Sequence, residues 1–386
     1  MWFLFTGICI LIVVSYLGLI VFYYFGWKHV PLYVPTNKNS PGPATTISVI
    51  VPVRNEEKNI KACLDALAAQ TLSKDRYEVI VVDDHSTDST PQLLLSLKYP
   101  QMRLTVLNLE EQLRQKGMRG QAYKKWGIEW AVSRAVGDLI VTTDADCTSH
   151  VEWLATLLDF YEHTGAKCIA APVKIIAGNQ WLEIFQALDF AALQGITAAS
   201  VHAKFHSMCN GANFAYEKKA FEEAGGYRGI DSIPSGDDML LMHKIFLLHP
   251  DGPQFLLSPK AVVSTKAENT LSGFLNQRIR WASKASQYRD RRIFRALLLV
   301  YFANLVFPVL LIAGAWNRWY LLLFFLLLCL KIFVEYPFLR SVTAFFNQQG
   351  FMIYFPSFQP LHILYTLVAG WLGKFGSYQW KNRRIE

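Results

Sequence analysis

Tyr77-Glu78-Val79-Ile80-Val81-Val82-Asp83-Asp84-His85-Ser86-Thr87-Asp88 is a largely apolar, β-branched run that ends abruptly in acids. A strand buried on both faces reads as a near-continuous apolar run, which is what a parallel sheet covered by helices requires. Outward from this stretch the pattern repeats. Ile47 to Val53 is a β-branched run, and Glu56 to Ala69 has helical apolar spacing through Ile60, Cys63, Leu64 and Leu67. Beyond Asp88, Thr90 and Pro91 are helix-start signals. Arg103 to Leu107 reads as a short strand, Gln121 to Val136 as a helix and Asp138 to Thr143 as a strand. Val151 to Glu162 follows as a helix and Lys167 to Val173 as a strand. This βαβαβαβαβ order predicts an α/β domain with a mostly parallel sheet and right-handed crossovers. Ligands of such sheets bind beyond the carboxyl ends of the strands.

Three of those ends are polar and mostly acidic: Pro52-Val53-Arg54-Asn55-Glu56-Glu57, Asp83 to Asp88, and Asp144-Ala145-Asp146. Asp144 and Asp146 are two apart, so in extended chain they point to one side. Two such carboxylates can share a hard divalent cation, Mg²⁺ or Mn²⁺, with substrate phosphates. The bland alternative is a solvated turn capping the helix at Val151. Asp83 and Asp84 are adjacent and diverge. One can accept from a pyrimidine N–H or a ribose hydroxyl while the other orders the loop. Asp88 reads as a helix cap. No GxGxxG phosphate loop is present, which argues against a nicotinamide or flavin enzyme.

Further along, Ser235-Gly236-Asp237-Asp238 precedes the apolar helix Met239 to Leu248. An acidic start favoured by the helix dipole and a general base read equally well from these residues. Gln277-Arg278-Ile279-Arg280-Trp281 lies in a helical stretch starting near Thr270. Gln277, Arg280 and Trp281 share one face. Arg can clasp a diphosphate bidentately, and Trp offers an apolar face to a sugar ring. The other reading is a basic helix on a membrane surface, the role expected of Arg278, Lys284, Arg289 and Arg291.

Apolar residues make up 52% of the chain and charged residues 18%, so the excess apolar content belongs in long runs. Trp2 to Phe25 carries no charge. It is long enough to cross a hydrocarbon core about 30 Å thick. Its bulky end, Tyr23-Tyr24-Phe25, suits a retained anchor over residues 1–27 better than a cleaved signal peptide. Residues 28–46 read as a linker, Pro- and polar-rich over 35–46. Ala296 to Asn317 and Trp319 to Leu330 read as a membrane hairpin whose weaker end is marked by Lys331 and Glu335. Phe351 to Trp371, broken by Pro356 and Pro360, reads as a third segment that spans, re-enters or lies in the interface. The net charge of +8 gathers at the membrane edges: Lys28 and His29, then Arg289 to Arg295, then Lys381, Arg383 and Arg384. The positive-inside rule therefore puts the central region in the cytoplasm, and no basic stripe suggests nucleic acid. The six cysteines have no CxxC spacing, which suits a reduced compartment without structural zinc.

Together these pieces resemble the inverting family 2 glycosyltransferases of GT-A fold, over roughly residues 47–290, with 291–386 as the C-terminal membrane segments. Four motifs carry the resemblance: Val81-Val82-Asp83-Asp84-His85-Ser86-Thr87-Asp88, Asp144-Ala145-Asp146, Gly236-Asp237-Asp238 and Gln277-Arg278-Ile279-Arg280-Trp281. The last is similar to the QxxRW of cellulose, chitin and hyaluronan synthases and ceramide glucosyltransferases. The resemblance implies a nucleotide-sugar donor held by Pro52, Arg54, Glu56, Asp83, Asp84 and Asp144. It implies a metal on Asp144 and Asp146 and a base at Asp238 beside Asp237. Gln277, Arg280 and Trp281 would hold the diphosphate and the acceptor end. Gly211 and Asn213, with Asp238 and Trp281, would line the acceptor pocket. The chain departs from the family at Asp237, where Glu is common. It departs again at Gly120-Gln121-Ala122-Tyr123-Lys124-Lys125, where a Gly-Lys stretch is usual, so neither lysine inherits a phosphate role.

These features imply an integral membrane enzyme, in the inner membrane of a bacterium, acting on a lipid-linked or membrane-proximal acceptor in glycolipid or cell-envelope polysaccharide synthesis. A processive polysaccharide synthase is the alternative, and it needs a channel of several helices. An inactive membrane scaffold or sugar-binding protein is another; it predicts missing carboxylates, and none is missing.

Overall fold

The computed structural model describes residues 2–36, 45–116, 122–233, 235–284, 290–376, 378–380 and 383–385. They form two compact units. One comprises Pro31–Lys174 and Ser207–Lys266; the other comprises Met1–Val30, Ile175–His206 and Ala267–Glu386. Residues 175–206 and 267–290 of the expected 47–290 region fall in the second of these units.

The first unit is the α/β one. Its strands are β1 (Ile47–Val53), β2 (Tyr77–Asp83), β3 (Arg103–Asn108), β4 (Leu139–Thr142), the short β5 (Thr148–Ser149), β6 (Cys168–Ala170), β7 (Val173–Ile176), β8 (Phe214–Glu217), β9 (Pro253–Phe255) and β10 (Val263–Lys266). Seven make one sheet in the order β3-β2-β1-β4-β8-β6-β9. β2, β1 and β4 are parallel neighbours, with Val53 opposite Asp83 and Ile50 opposite Thr142. β8 runs antiparallel to both β4 and β6, so the sheet is mostly parallel. Every residue of β2 is buried, as its apolar run requires. β3, at the edge, exposes most of its side chains.

Two local departures have physical causes. The expected strand Lys167 to Val173 is interrupted at Ala171 and Pro172. Pro172 has no N–H to give a ladder, and its carbonyl accepts from the Asn213 carboxamide instead. The helix expected from Glu56 starts only at Ile60. The backbone N–H groups of Glu56 and Glu57 donate sideways, to Thr90 Oγ1 and Asp88 Oδ2, and so tie the loop to its neighbour.

The second unit is helical: Trp2–His29, Trp181–His202, Leu271–Ala282, Arg291–Ala313, Trp319–Phe345 and Phe355–Phe375. Among the described residues, four helices are long and apolar enough to cross a membrane: Phe3–His29, Trp181–His202, Arg291–Ala313 and Trp319–Phe345. Trp181–His202 was not foreseen. The hairpin's second arm does not weaken at Lys331 but continues to Phe345. Lys331 is 0% exposed and pairs with Glu335 one turn on at 2.7 Å. Gln359 accepts from Lys331 and donates to Glu335, and Tyr16 donates to the same carboxylate. A buried pair with its remaining hydrogen bonds satisfied can be held in an apolar setting.

Candidate active site

The carboxyl ends of β1, β2 and β4 lie side by side on one edge of the sheet. Beyond β1 and β2, two loops are fastened together. Arg54 Nη1 donates to the carbonyls of Asp84 and His85 at 2.7 and 2.9 Å. Asn55 Oδ1 accepts from Thr87 N at 2.8 Å, and Ser86 Oγ contacts Asn55 N at 3.0 Å. Asn55 and His85 both hold positive φ, 51° and 55°, conformations that persist where surrounding contacts enforce them. Arg54 is thereby an organiser of the loop after β2.

Asp83 and Asp84 emerge buried from β2. Asp83 Oδ1 accepts from Ser86 N, and burial raises the Asp83 carboxyl above its ordinary range. Asp84 Oδ1 lies 2.8 Å from His85 Nδ1. Glu56, also buried, accepts from Asn59 Nδ2, and Pro52 stands opposite Val82. Asp88, one residue before the N-cap Ser89, accepts from Thr90 N and Glu57 N and so ties the helix start to the loop after β1.

At the end of β4, Asp144 and Asp146 flank Ala145. Asp146 accepts from the Cys147 thiol, and Asp144 Oδ1 receives the Lys124 ammonium at 3.0 Å. Lys124 also reaches Asp237 Oδ2 at 3.2 Å. Burial alone would lower the Lys124 pKa; Asp144 and Asp237 outweigh it and hold the ammonium above its usual range. Two motifs far apart in sequence thus meet through one lysine that the sequence reading left without a role. Its only signal is its place in the first turn of helix Tyr123–Arg134, where a solvated lysine reads the same way. The next residue, Lys125, is 0% exposed and donates to the carbonyls of Ile230 and Ile233 at 2.7 and 2.8 Å.

Asp238 caps helix Met239–Leu248. Oδ1 accepts from Met239 N at 2.7 Å, and Oδ2 accepts from Gly211 N at 2.9 Å. Gly236 has φ 77°, a left-handed turn that lets the chain present Asp237 and Asp238. Thr142 Oγ1 on β4 donates to the Gly211 carbonyl at 2.9 Å, fixing this segment to the strand that leads to Asp144. Asn213 lies elsewhere than expected. It is 0% exposed, donates to Pro172 O and Ala261 O at 2.8 Å each, and accepts from Trp153 Nε1 at 3.0 Å. Its carboxamide is spent on these three hydrogen bonds, which hold the Gly211 turn to Pro172, Ala261 and Trp153.

Gln277, Arg280 and Trp281 belong to the helical unit, on Leu271–Ala282, capped by Thr270 Oγ1 accepting from Gly273 N. The membrane-surface role expected of Arg278 is corrected. Arg278 is buried, and its Nε and Nη2 donate to Asp189 Oδ2 at 3.0 and 2.7 Å. Its Nη1 donates to Gln277 Oε1 at 2.9 Å, and its guanidinium lies 4.3 Å from the Trp281 ring centroid. Lys284 and Arg291 are described; Arg289, Gly120, Gln121 and Lys381 lie outside the described residues.

Asp144 and Asp146 are hard oxygen donors of the kind Mg²⁺ and Mn²⁺ take from proteins. Among the described residues no three His, Cys, Asp or Glu side chains converge as a metal cage. The donor set therefore fits a cation completed by substrate phosphates, not one held by protein alone.

A family model described as Glycosyl transferase family 2 matches residues 48–225, and one described as Glycosyl transferase family group 2 matches residues 139–372. Glycosyltransferase AglE of Haloferax volcanii is 32% identical over 162 residues, 42% of this chain and 45% of that protein. Beta-monoglucosyldiacylglycerol synthase of Synechocystis sp. is 24% identical over 260 residues, 65% of this chain and 50% of that protein. The chain thus spans about half the length of these curated relatives. The mannosyltransferase PcManGT from Pyrobaculum calidifontis, solved in complex with GDP-Man and Mn²⁺, aligns with a TM-score of 0.56. That alignment covers 95% of this chain and 98% of the other at 19% identity, a likeness of fold. A GT-A-like sheet with acids on its carboxyl edge, and a family model spanning over half the residues, lead to one conclusion: the chain belongs to the family 2 glycosyltransferases.

Proposed function

We propose that this glycosyltransferase uses a metal-bound nucleotide-diphospho-sugar, with uridine as the nucleoside, and transfers the sugar with inversion to a lipid-linked or membrane-proximal acceptor. The observation that carries the reading is the Lys124 bridge, which sets the acidic pair Asp237-Asp238 beside Asp144.

Asp238 is the general base. Two backbone N–H groups hold its carboxylate, and each oxygen keeps lone-pair capacity to accept a proton. It takes the proton of an acceptor hydroxyl as that oxygen attacks the anomeric carbon. The bond to the diphosphate oxygen breaks on the opposite face, so one displacement inverts the centre. A divalent cation on Asp144 and Asp146, when bound, supplies charge to offset the leaving diphosphate. Asp83 and Asp84 face the nucleoside, with Arg54, Glu56 and Pro52 shaping their loop, and Gly211 supports the acceptor side. Gln277, Arg280 and Trp281 take the diphosphate and acceptor roles that their motif implies.

The apolar helices support a membrane protein, and the basic residues at their edges support a cytoplasmic catalytic unit in a bacterial inner membrane. The Synechocystis relative, a diacylglycerol glycolipid synthase by name, favours a lipid acceptor in glycolipid synthesis over polymer synthesis. A screen of UDP- and GDP-sugars for EDTA-sensitive hydrolysis and transfer to membrane lipids, with product length and anomer read from the product, tests this. Long polymers would contradict single transfer, and a retained anomer would contradict inversion.

A further inference from the structure

We infer that Lys124 is an internal counter-ion of the donor-free site, which couples binding of the metal to binding of the nucleotide. This deepens the function proposed above and rests on it. The motif reading gave Lys124 no part. The geometry places its ammonium 3.0 Å from Asp144 Oδ1 and 3.2 Å from Asp237 Oδ2.

Three observations converge. First, the bridge joins two carboxylates that the reaction uses differently, one on the metal side and one beside the base. Unbridged, two acids brought together at the end of a buried sheet repel. Second, the same helical turn fixes the base loop a second time. Lys125 donates to the carbonyls of Ile230 and Ile233, in the segment that leads into Gly236 and Asp237. Successive lysines therefore tie the base loop to the helix and to the strand end bearing Asp144. Third, protein supplies few metal ligands here, since no cluster of three forms among the described residues. With the Lys124 ammonium on Asp144, a bare cation meets a carboxylate already neutralised at close range.

A metal arriving with a diphosphate brings its own compensation. Phosphate oxygens complete its coordination and offer Lys124 an anionic partner in place of Asp144. The lysine thus penalises the metal alone and is neutral or favourable toward the metal–diphosphate. Binding becomes ordered by charge: the cation enters with the donor and leaves with the nucleoside diphosphate.

The test is Mn²⁺ binding to the full chain in detergent micelles, read by electron paramagnetic resonance without turnover. It compares the native protein, Lys124→Gln and Lys124→Arg, each with Mn²⁺ alone, with UDP and with GDP. Lys124→Gln is expected to bind Mn²⁺ alone about tenfold more tightly than the native protein and to gain less from nucleotide. Lys124→Arg keeps the charge and is expected to behave as native. Equal affinity of Lys124→Gln and native protein for Mn²⁺ alone overturns the role of Lys124. If the native protein binds Mn²⁺ with neither nucleotide, the metal-dependent reading itself falls, and the counter-ion with it. Should Lys124→Gln fold poorly by thermal unfolding, the native protein still decides. It must bind Mn²⁺ alone at least about tenfold more weakly than with one of the nucleotides, and equal affinities overturn the coupling.

Discussion

Single residues here carry roles that their types do not announce. Asn213 sits between the Gly211 turn and β8, where the family resemblance implies an acceptor contact. Its full burial and three hydrogen bonds make it scaffold. Asn213→Ala is expected to lower stability by about 2 kcal/mol or more, because buried partners are left unsatisfied. Chemical or thermal unfolding measures this. The acceptor KM of the surviving folded enzyme is expected to stay near native, and a selective rise in that KM would return Asn213 to the pocket. Gly236 is the reverse case, a small residue with a demanding backbone. At φ 77°, Gly236→Ala strains the turn that presents Asp237 and Asp238. It is expected to cost about 1 kcal/mol, with a larger loss in kcat than in donor affinity. Unchanged kcat would show that the turn does not position the base. Asp83, Asp84, Asp144 and Asp146 stand out in the sequence because each follows an abrupt end of apolar pattern, and Asp238 because it opens an apolar helix. Lys124 does not, because a lysine opening a helix carries no mark of what stands opposite it in space.

At the scale of elements, β2 and β4 were legible because each is buried along its whole length, β1 because all but Pro52 is, and the helices beside them because apolar spacing marks one buried face. The largest boundary shift in the helix after β1 came where side chains compete for backbone groups, at Glu56 and Glu57. Trp181–His202 is hard to see in the sequence because Glu183 and Asp189 interrupt its apolar stretch. Asp189 is a buried anchor, receiving Arg278 from Leu271–Ala282 and Tyr365 from Phe355–Phe375. Arg278 was misread because its charge suggested water, while its partner is another buried charge. Breaking such a pair from one side leaves the other charge uncompensated. Arg278→Gln or Asp189→Ala is expected to cost about 3–5 kcal/mol, seen as a lowered thermal midpoint in detergent. Replacing both residues with apolar ones of similar size is expected to recover much of that loss. If the single replacements cost no more than the double, the pair is not a buried anchor.

On the scale of the whole molecule, the chain is a sheet unit that presents acids and a helical unit apolar enough for lipid. Charge asymmetry at the helix edges predicts that the sheet unit faces the cytoplasm. A cysteine introduced at the exposed Lys58 is therefore expected to resist a membrane-impermeant maleimide in intact cells and to label after permeabilisation. Labelling of intact cells would reverse the topology. The helical unit was the less legible half. Hydropathy marks a run as apolar, but it does not say which of its few charges meet inside, as Lys331 and Glu335 do.

Asp238 is the proposed base of a metal-dependent sugar transfer. The direct measurement is single-turnover transfer by native enzyme and Asp238→Asn, with the nucleotide-sugar and Mn²⁺ affinity of each measured alongside. Donor and metal affinity are expected to hold while transfer falls by about 10²–10⁴-fold. Near-native transfer by Asp238→Asn would show that Asp238 is not the base.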